Sequence, residues 1–327
     1  MKERRDIIPL RPGQLSAFGP GQIPALFRNA GEHATRRFIE FFTANIRNWN
    51  TRQAYARAVY RFADWCEHRK LRLEQLNPPL VAAYVEQLMK ELSAPSVKQH
   101  LAAIRMLCDY LVIGHGMAFN PASSVRGPKH VVHRGKTPVL QPEQASDLLA
   151  SIGTTKLVDL RDRALIAAMV FSFGRVSAAL GMNVQDYFAD GKRCWFRLHE
   201  KGGRYHEVPV HHKAVACLDA YIAEAGIAHQ SRTPLFRSVT RHGDVTDRRF
   251  TRQEALKMVK RRARAAGIPD RISCHTFRAT GITAYLLNGG TLEHAQEIAA
   301  HSSAKTTKLY DRRNDEITLD EIERIAI

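Results

Sequence analysis

The stretch CHTFRATGITAYLLNGG, residues 274–290, decides how the second half of the chain is read. Its apolar residues recur at helical spacing, and the spacing predicts a helix over 275–288. Gly289-Gly290 is a helix stop, and Thr291 stands where the next helix needs an N-cap. His275 and Arg278 then share one face at i, i+3. Taken alone, such a pair is as readily a solvated surface feature as a site.

Toward the C-terminus lies AAHSSAKTTKLYDRR, residues 299–313. Helices are expected over 291–300 and 304–310, with His301 between them and Tyr310 nine residues after it. Singly, His301 reads as a satisfied core histidine and Tyr310 as an amphipathic core tyrosine. Toward the N-terminus, TRQEALKMVKRRARAA (251–266) is a helix carrying Lys257, Lys260, Arg261, Arg262 and Arg264, and a further helix fits 212–225. The period then changes from helical to two. Residues 193–199 (RCWFRLH) and 204–210 (RYHEVPV) alternate around Lys201-Gly202-Gly203, which predicts a β-hairpin with Lys201 at its tip. A strongly apolar helix is expected over 161–180, preceded by one at 142–151. It contains Arg175 in FSFGRVSAAL, where a helix C-terminus would favour a cation.

The first half has no strand-like run. Phe38, Phe41 and Phe42 open a helical region, and Asn50-Thr51 offers a cap before Tyr55, Val59, Phe62, Ala63 and Cys66. Leu80, Val81, Tyr84, Val85 and Leu88 form a third stripe. Ser96 is placed to cap a fourth helix with Val97, Leu101, Ile104 and Leu111 on one side and Lys98, Gln99 and Arg105 elsewhere. The expected organisation is a loose, Pro- and Gly-rich arm at 1–32 and an all-helical bundle at 33–128. A basic linker follows at 129–140, then a mixed domain at 141–312 and a tail at 313–327. The fold class is mainly α with a small β-hairpin, in two domains.

Charge narrows the function. Lys+Arg number 49 against Asp+Glu 32, a net charge of +17, and the pI is near 10.0. Such an excess points to a polyanionic partner. No apolar run approaches the ~18 residues that span a bilayer, and the basic N-terminus lacks the apolar region of a signal peptide. The expectation is a cytoplasmic, nucleoid-associated protein. Five cysteines without CxxC spacing read as reduced thiols. His211-His212 and His130…His133 come without carboxylate or Cys partners, so no metal and no cofactor are expected.

The order Arg175, Lys201, His275-x-x-Arg278, His301, Tyr310 resembles the signature of the tyrosine recombinases, the phage-type integrases. RDRALIAAMVFSFGRVSAALGM resembles the family's first box, HTFRATGITAYLLNGG its second and AAHSSAKTTKLY its third. TRQAYARAVYRFADWC and SAPSVKQHLAAIRMLCDYL resemble its helical, SAM-like core-binding domain, so the likeness covers roughly 34–312. It implies that Tyr310 attacks a DNA phosphodiester, forms a 3′-phosphotyrosine and releases a 5′-hydroxyl. Arg175 and Arg278 would clamp the phosphate, Lys201 protonate the leaving oxygen, His275 act as base and His301 donate a hydrogen bond. The chemistry is coherent: a tyrosine phenol, with an ordinary pKa of about 10, needs a base, and forked guanidinium donors can hold two phosphate oxygens as Lys cannot. Neither metal nor ATP is then required.

The resemblance further implies a clamp on double-stranded DNA bearing inverted-repeat core sites, a homotetramer on DNA and a Holliday-junction intermediate. Lys98, Gln99 and Arg105 on one helix and Lys257, Lys260, Arg261 and Arg264 on another are the candidate DNA contacts. The acidic, amphipathic tail would pack on a neighbouring protomer. Three departures stand out. The family's usual Gly–apolar order before the first Arg is reversed in Phe173-Gly174, its following Glu is replaced by Ala178, and its Leu-Gly-His is Ala299-Ala300-His301. Two alternatives share the scaffold: a type IB topoisomerase and a non-catalytic DNA-binding regulator.

Overall fold

A computed structural model describes residues 23–132, 135–200, 203, 205–269, 271–312 and 323. Lys201, most of the arm at 1–32 and nearly all of the tail at 313–327 lie outside the described residues. The chain divides into two compact units, residues 1–131 and 132–327.

The first unit is helical: α1 (Ala25–Arg28), α2 (Glu32–Glu40), α3 (Trp49–His68), α4 (Pro78–Glu91) and α5 (Ala94–Ile113), with a π-turn at Phe41–Asn45 after α2. Its core is aromatic. Phe38 stacks on Phe27 at 4.5 Å, and Phe62, Trp65 and Tyr84 meet within 6.3 Å. The end of the arm is therefore not loose, because Leu26 and Phe27 of α1 are buried. Two helix starts also move upstream. Asn48, not Asn50 or Thr51, caps α3 by accepting from the Thr51 amide at 3.1 Å. Helix α5 begins at Ala94, with Pro95 in its first turn, so its N-cap position is Ser93, three residues before the expected cap Ser96.

The second unit holds α6 (Pro142–Ala150), α7 (Leu157–Phe171) and α8 (Val176–Gly181). Strands β1 (Tyr187–Asp190), β2 (Arg193–His199) and β3 (Tyr205–Pro209) follow, then α9 (His212–Ala225), β4 (Arg237–Val239) and β5 (Val245–Arg249). Helices α10 (Arg252–Ala265), α11 (Cys274–Leu287), α12 (Leu292–Ile298) and α13 (Ala304–Lys308) complete it. The hairpin is larger than its turn glycines indicated. β1 pairs antiparallel with β2 and β2 with β3, and β4–β5 forms a second, two-stranded sheet. Phe196 and Leu198 of β2 are buried in the main core with residues of α7 and α9. The free thiols Cys66, Cys108 and Cys274 are buried, while Cys194 and Cys217 are half-buried.

One expected helix is two. The apolar run over 161–180 ends α7 at Phe171, turns through Ser172–Gly174, and restarts as α8 with Arg175 at its N-cap. Phe173 has φ +51°, a left-handed conformation that no helix interior accepts. Arg175 thus opens a helix and does not close one. Glycine at 281 lets α11 approach this break: a Cβ there would stand 2.1 Å from the Val170 carbonyl oxygen.

Candidate active site

Helix α11 supplies the centre. Its first turn carries His275, and Arg278 follows one turn on, 1 % exposed. The Arg278 guanidinium donates to the Phe173 carbonyl from Nη1 and to the Ala299 carbonyl at 2.6 Å from Nη2. Its Nε has no hydrogen-bond partner. Arg278 therefore ties together the α7–α8 break, which carries Arg175, and the α12–α13 turn, which carries His301.

Both acceptor loops are bent by left-handed residues. Phe173, with φ +51°, presents its own carbonyl, and Ala300, with φ +46°, follows the second acceptor. These are two of the positions at which the family pattern has glycine. A non-glycine residue there costs on the order of 1 kcal/mol. Phe173 also contributes a buried ring that packs on Tyr285 and beside Gly281.

Tyr310 sits just past α13, 7 % exposed. Its backbone is pinned, the amide to the Thr307 carbonyl at 2.9 Å and the carbonyl to Thr283 Oγ1 at 2.9 Å. Its hydroxyl lies 2.9 Å from His275 Nε2. Burial, with Arg278 and Arg175 nearby, lowers the His275 pKa, so its neutral form can accept the phenolic proton. The His301 ring stacks parallel to the Tyr310 ring, centroids 5.8 Å apart. His301 Nδ1 meets Thr307 Oγ1 at 2.8 Å. If the buried threonine hydroxyl donates, Nε2–H is left free to donate to a ligand.

The cationic groups shape each other. Burial first and Arg175 second push Arg278 down to about 10, which leaves it charged at neutral pH. His301 is pushed down to about 3 by burial, then by Arg278, Arg175 and His275. Its folded pKa lies below the ordinary 6.5, so the unfolded chain takes up this proton first. His301 accordingly contributes stability above pH 6.5 that is lost as pH falls toward 3. A His301→Gln variant should show a flatter decline of urea midpoint between pH 6.5 and 4 than the parent. Equal slopes would exclude this histidine as a source of acid sensitivity.

Arg175 is about one-third exposed and forms an ion pair through Nη1 with the buried Glu200 carboxylate. Clefts open on both sides of it. One of about 370 Å³ is lined by Arg175, Glu200, His206, Glu297 and His301, and one of about 710 Å³ by Arg175, Arg252, Ser273 and His275. Among the described residues no group of histidines, cysteines and carboxylates could hold a metal ion. Five of the six predicted catalytic residues thus converge within the second unit, and the sixth, Lys201, lies outside the described residues. Glu200 was missed by the sequence reading; the one available signal was its place beside Lys201.

The candidate DNA contacts divide. Lys98, Gln99 and Lys257 are exposed and Lys260 is half-buried. Arg105 is committed elsewhere: its guanidinium donates to the carbonyls of Ala122 and Val125, fastening the chain after α5. Arg261 is largely exposed yet binds the buried Asp162 at 2.8 Å, and Arg264, also exposed, has an interaction of its own. Arg262 bonds both Asp159 and Asp162. No described helix is long and apolar enough to cross a membrane.

Fold and site together define a tyrosine recombinase. The phage integrase family profile matches residues 138–316, and the profile of the phage integrase N-terminal SAM-like domain matches 37–113. The chain belongs to the phage integrase family. Among curated relatives, tyrosine recombinase XerC of Thermodesulfovibrio yellowstonii is 27 % identical over 268 residues, covering 80 % of this chain and 85 % of that protein. Tyrosine recombinase XerD of Chlorobaculum tepidum is 28 % identical over 283 residues, covering 84 % and 89 %. Among solved structures, the XerH site-specific recombinase bound to palindromic difH substrate, in a post-cleavage complex, superposes with TM-score 0.69 at 19 % identity, covering 91 % of this chain and 86 % of that one. A lambda integrase (75–356) dimer bound to a COC′ core site gives 0.64 at 15 %, covering 86 % and 96 %.

Proposed function

We propose that this recombinase cleaves and rejoins double-stranded DNA at specific core sites through Tyr310, without metal or ATP. The observation that carries the reading is the 2.9 Å approach of the Tyr310 hydroxyl to His275 Nε2, beside two guanidinium groups. His275 takes the phenolic proton as the oxygen attacks phosphorus. Arg175 and Arg278 hold the non-bridging oxygens, where charge develops in the transition state. His301 donates from Nε2. Lys201 protonates the departing 5′-oxygen. The 3′-phosphotyrosine stores the energy of the broken bond, and attack by a 5′-hydroxyl of a second duplex yields a Holliday junction.

Binding is carried in both units, by charge through Lys98 on α5 and Lys257, Lys260, Arg261 and Arg264 on α10, with the neutral Gln99 of α5 as a hydrogen-bonding contact. Arg105 contributes indirectly, by fixing the segment after α5. The DNA-bound complexes of the structural relatives support DNA as the partner. We propose that the core sites of this chain are inverted repeats. We further propose a homotetramer on DNA, joined by the tail at 313–327. The domain limits we propose are 33–128 for DNA binding, 129–140 for the linker and 141–312 for catalysis.

The test is a nicked duplex that traps the covalent adduct, digested and mapped by mass spectrometry. The nucleotide should sit on the peptide containing Tyr310. An adduct on Tyr205 or Tyr285, or none on any core-site duplex, would overturn the assignment.

A further inference from the structure

We propose that Glu200 is the positioning carboxylate of this active site, holding the Arg175 fork in the attitude that receives the phosphate. The proposal rests on the reading of Arg175 as a phosphate clamp and adds a residue to it. Arg175 is fixed at one end by its backbone: as N-cap of α8 its carbonyl accepts from the Ala178 and Ala179 amides at 2.8 and 3.0 Å. Nothing in the backbone fixes the far end of a side chain with four rotatable bonds, and about 2 kcal/mol of rotamer entropy opposes its staying in one place. Glu200 supplies that restraint. It stands immediately after β2, whose Phe196 and Leu198 are buried in the core, so its backbone is well anchored. Its side chain is 6 % exposed and its Oε2 accepts from Arg175 Nη1.

A carboxylate this buried carries a large desolvation cost unless paired, so the pair is held together strongly. Bonding at Nη1 leaves Nε and Nη2 of Arg175 for a ligand. The same charge acts on Arg278. Burial and then Arg175 weaken the protonated form of that guanidinium, and Tyr310 and Glu200 oppose them. Two guanidinium groups in one partly buried site repel each other, and one carboxylate offsets the repulsion. At position 178, one turn beyond Arg175, there is only a buried alanine methyl, 1 % exposed, which can do neither. Glu297 lines the same cleft, but among the described residues the ion pair of Arg175 is with Glu200.

The experiment measures single-turnover cleavage of a nicked core-site duplex at saturating protein, and separately the DNA Kd, for the full chain. Glu200→Ala should slow cleavage by about tenfold to a hundredfold, as a misplaced clamp does, with Kd within about threefold. Glu200→Gln, which keeps an acceptor oxygen but not the charge, should recover part of the rate. In an Arg175→Ala background, Glu200→Ala should cause almost no further loss, because the two act as a unit. A purely structural role would instead lower the rate in both backgrounds alike, and that additivity would overturn the proposal. So would an unchanged Glu200→Ala rate. Faster cleavage with tighter binding would also overturn it, marking Glu200 as a competitor of the phosphate. If Arg175→Ala alone cleaves normally, it is the assignment of the clamp that has failed.

Discussion

Arg278→Lys should lose cleavage by about a hundredfold to a thousandfold, the usual cost of removing a transition-state donor, while the chain still folds. The side chain does two things at once. Its Nη atoms bind the carbonyls of Phe173 and Ala299, and its charge stands beside Tyr310, where the phosphate must arrive. A lysine's three donors sit on one strongly hydrated nitrogen without the planar fork, so it cannot span two carbonyls and the phosphate at once. If it turns to the phosphate, two buried carbonyls lose a charged donor, at about 1–3 kcal/mol. If it stays with the carbonyls, the phosphate loses its contact. In the first case the loops that carry Arg175 and His301 are no longer tied to α11; in the second the tie survives and the clamp is lost. The check pairs a single-turnover cleavage rate with a urea melt. A variant within tenfold of the parent rate would show that Arg278 is structural only.

Much of this site was legible because the chemistry-bearing residues sit at element ends, which sequence marks well. Thr291 does cap α12 by accepting from the His294 amide at 3.2 Å, and α11 runs from Cys274 to Leu287 much as its periodicity predicts. What escaped was long-range or conformational. The break between α7 and α8 lies within a mostly apolar stretch that fits one helix, and it arises from the left-handed Phe173, whose carbonyl faces Arg278 more than a hundred residues away. The strand β5 reads VTDRR, too charged and short to declare itself, and it forms because Phe250 next to it is buried. Arg105 has the periodicity of a surface cation, but the carbonyls of Ala122 and Val125 fold back onto it. Glu200 lay in plain view as the flank of a hairpin. Its significance depends on Arg175, 25 residues earlier, and that pairing exists only in three dimensions.

Asp162→Ala should destabilise the catalytic unit by about 3–5 kcal/mol, the cost of removing one partner from a buried ionic cluster. Asp162 on α7 is fully buried. It accepts from Arg161 Nη2 at 2.6 Å, from Arg261 Nη2 at 2.8 Å and from Arg262 Nε and Nη2 at 2.9 and 2.8 Å. Arg161 is itself buried, over the Phe250 ring at 4.0 Å, and without Asp162 it keeps, among the described residues, a 3.3 Å bond to the Arg237 carbonyl. Arg262 retains Asp159, while Arg261 is set free toward solvent. Two measurements should therefore move in opposite directions. The melting temperature should fall by on the order of 10 °C, given roughly 2–4 °C per kcal/mol for a unit of this size. Below that temperature, affinity for non-specific duplex DNA should rise and its salt dependence steepen by about one phosphate contact, because a cation on α10 has been released. Asp162→Asn, which keeps the shape and loses the charge, should fall between parent and Ala in both. If the melting temperature stays within about 2 °C of the parent, the cluster is not what seats α10 against α7. If stability falls but the salt slope does not change, Arg261 does not reach DNA.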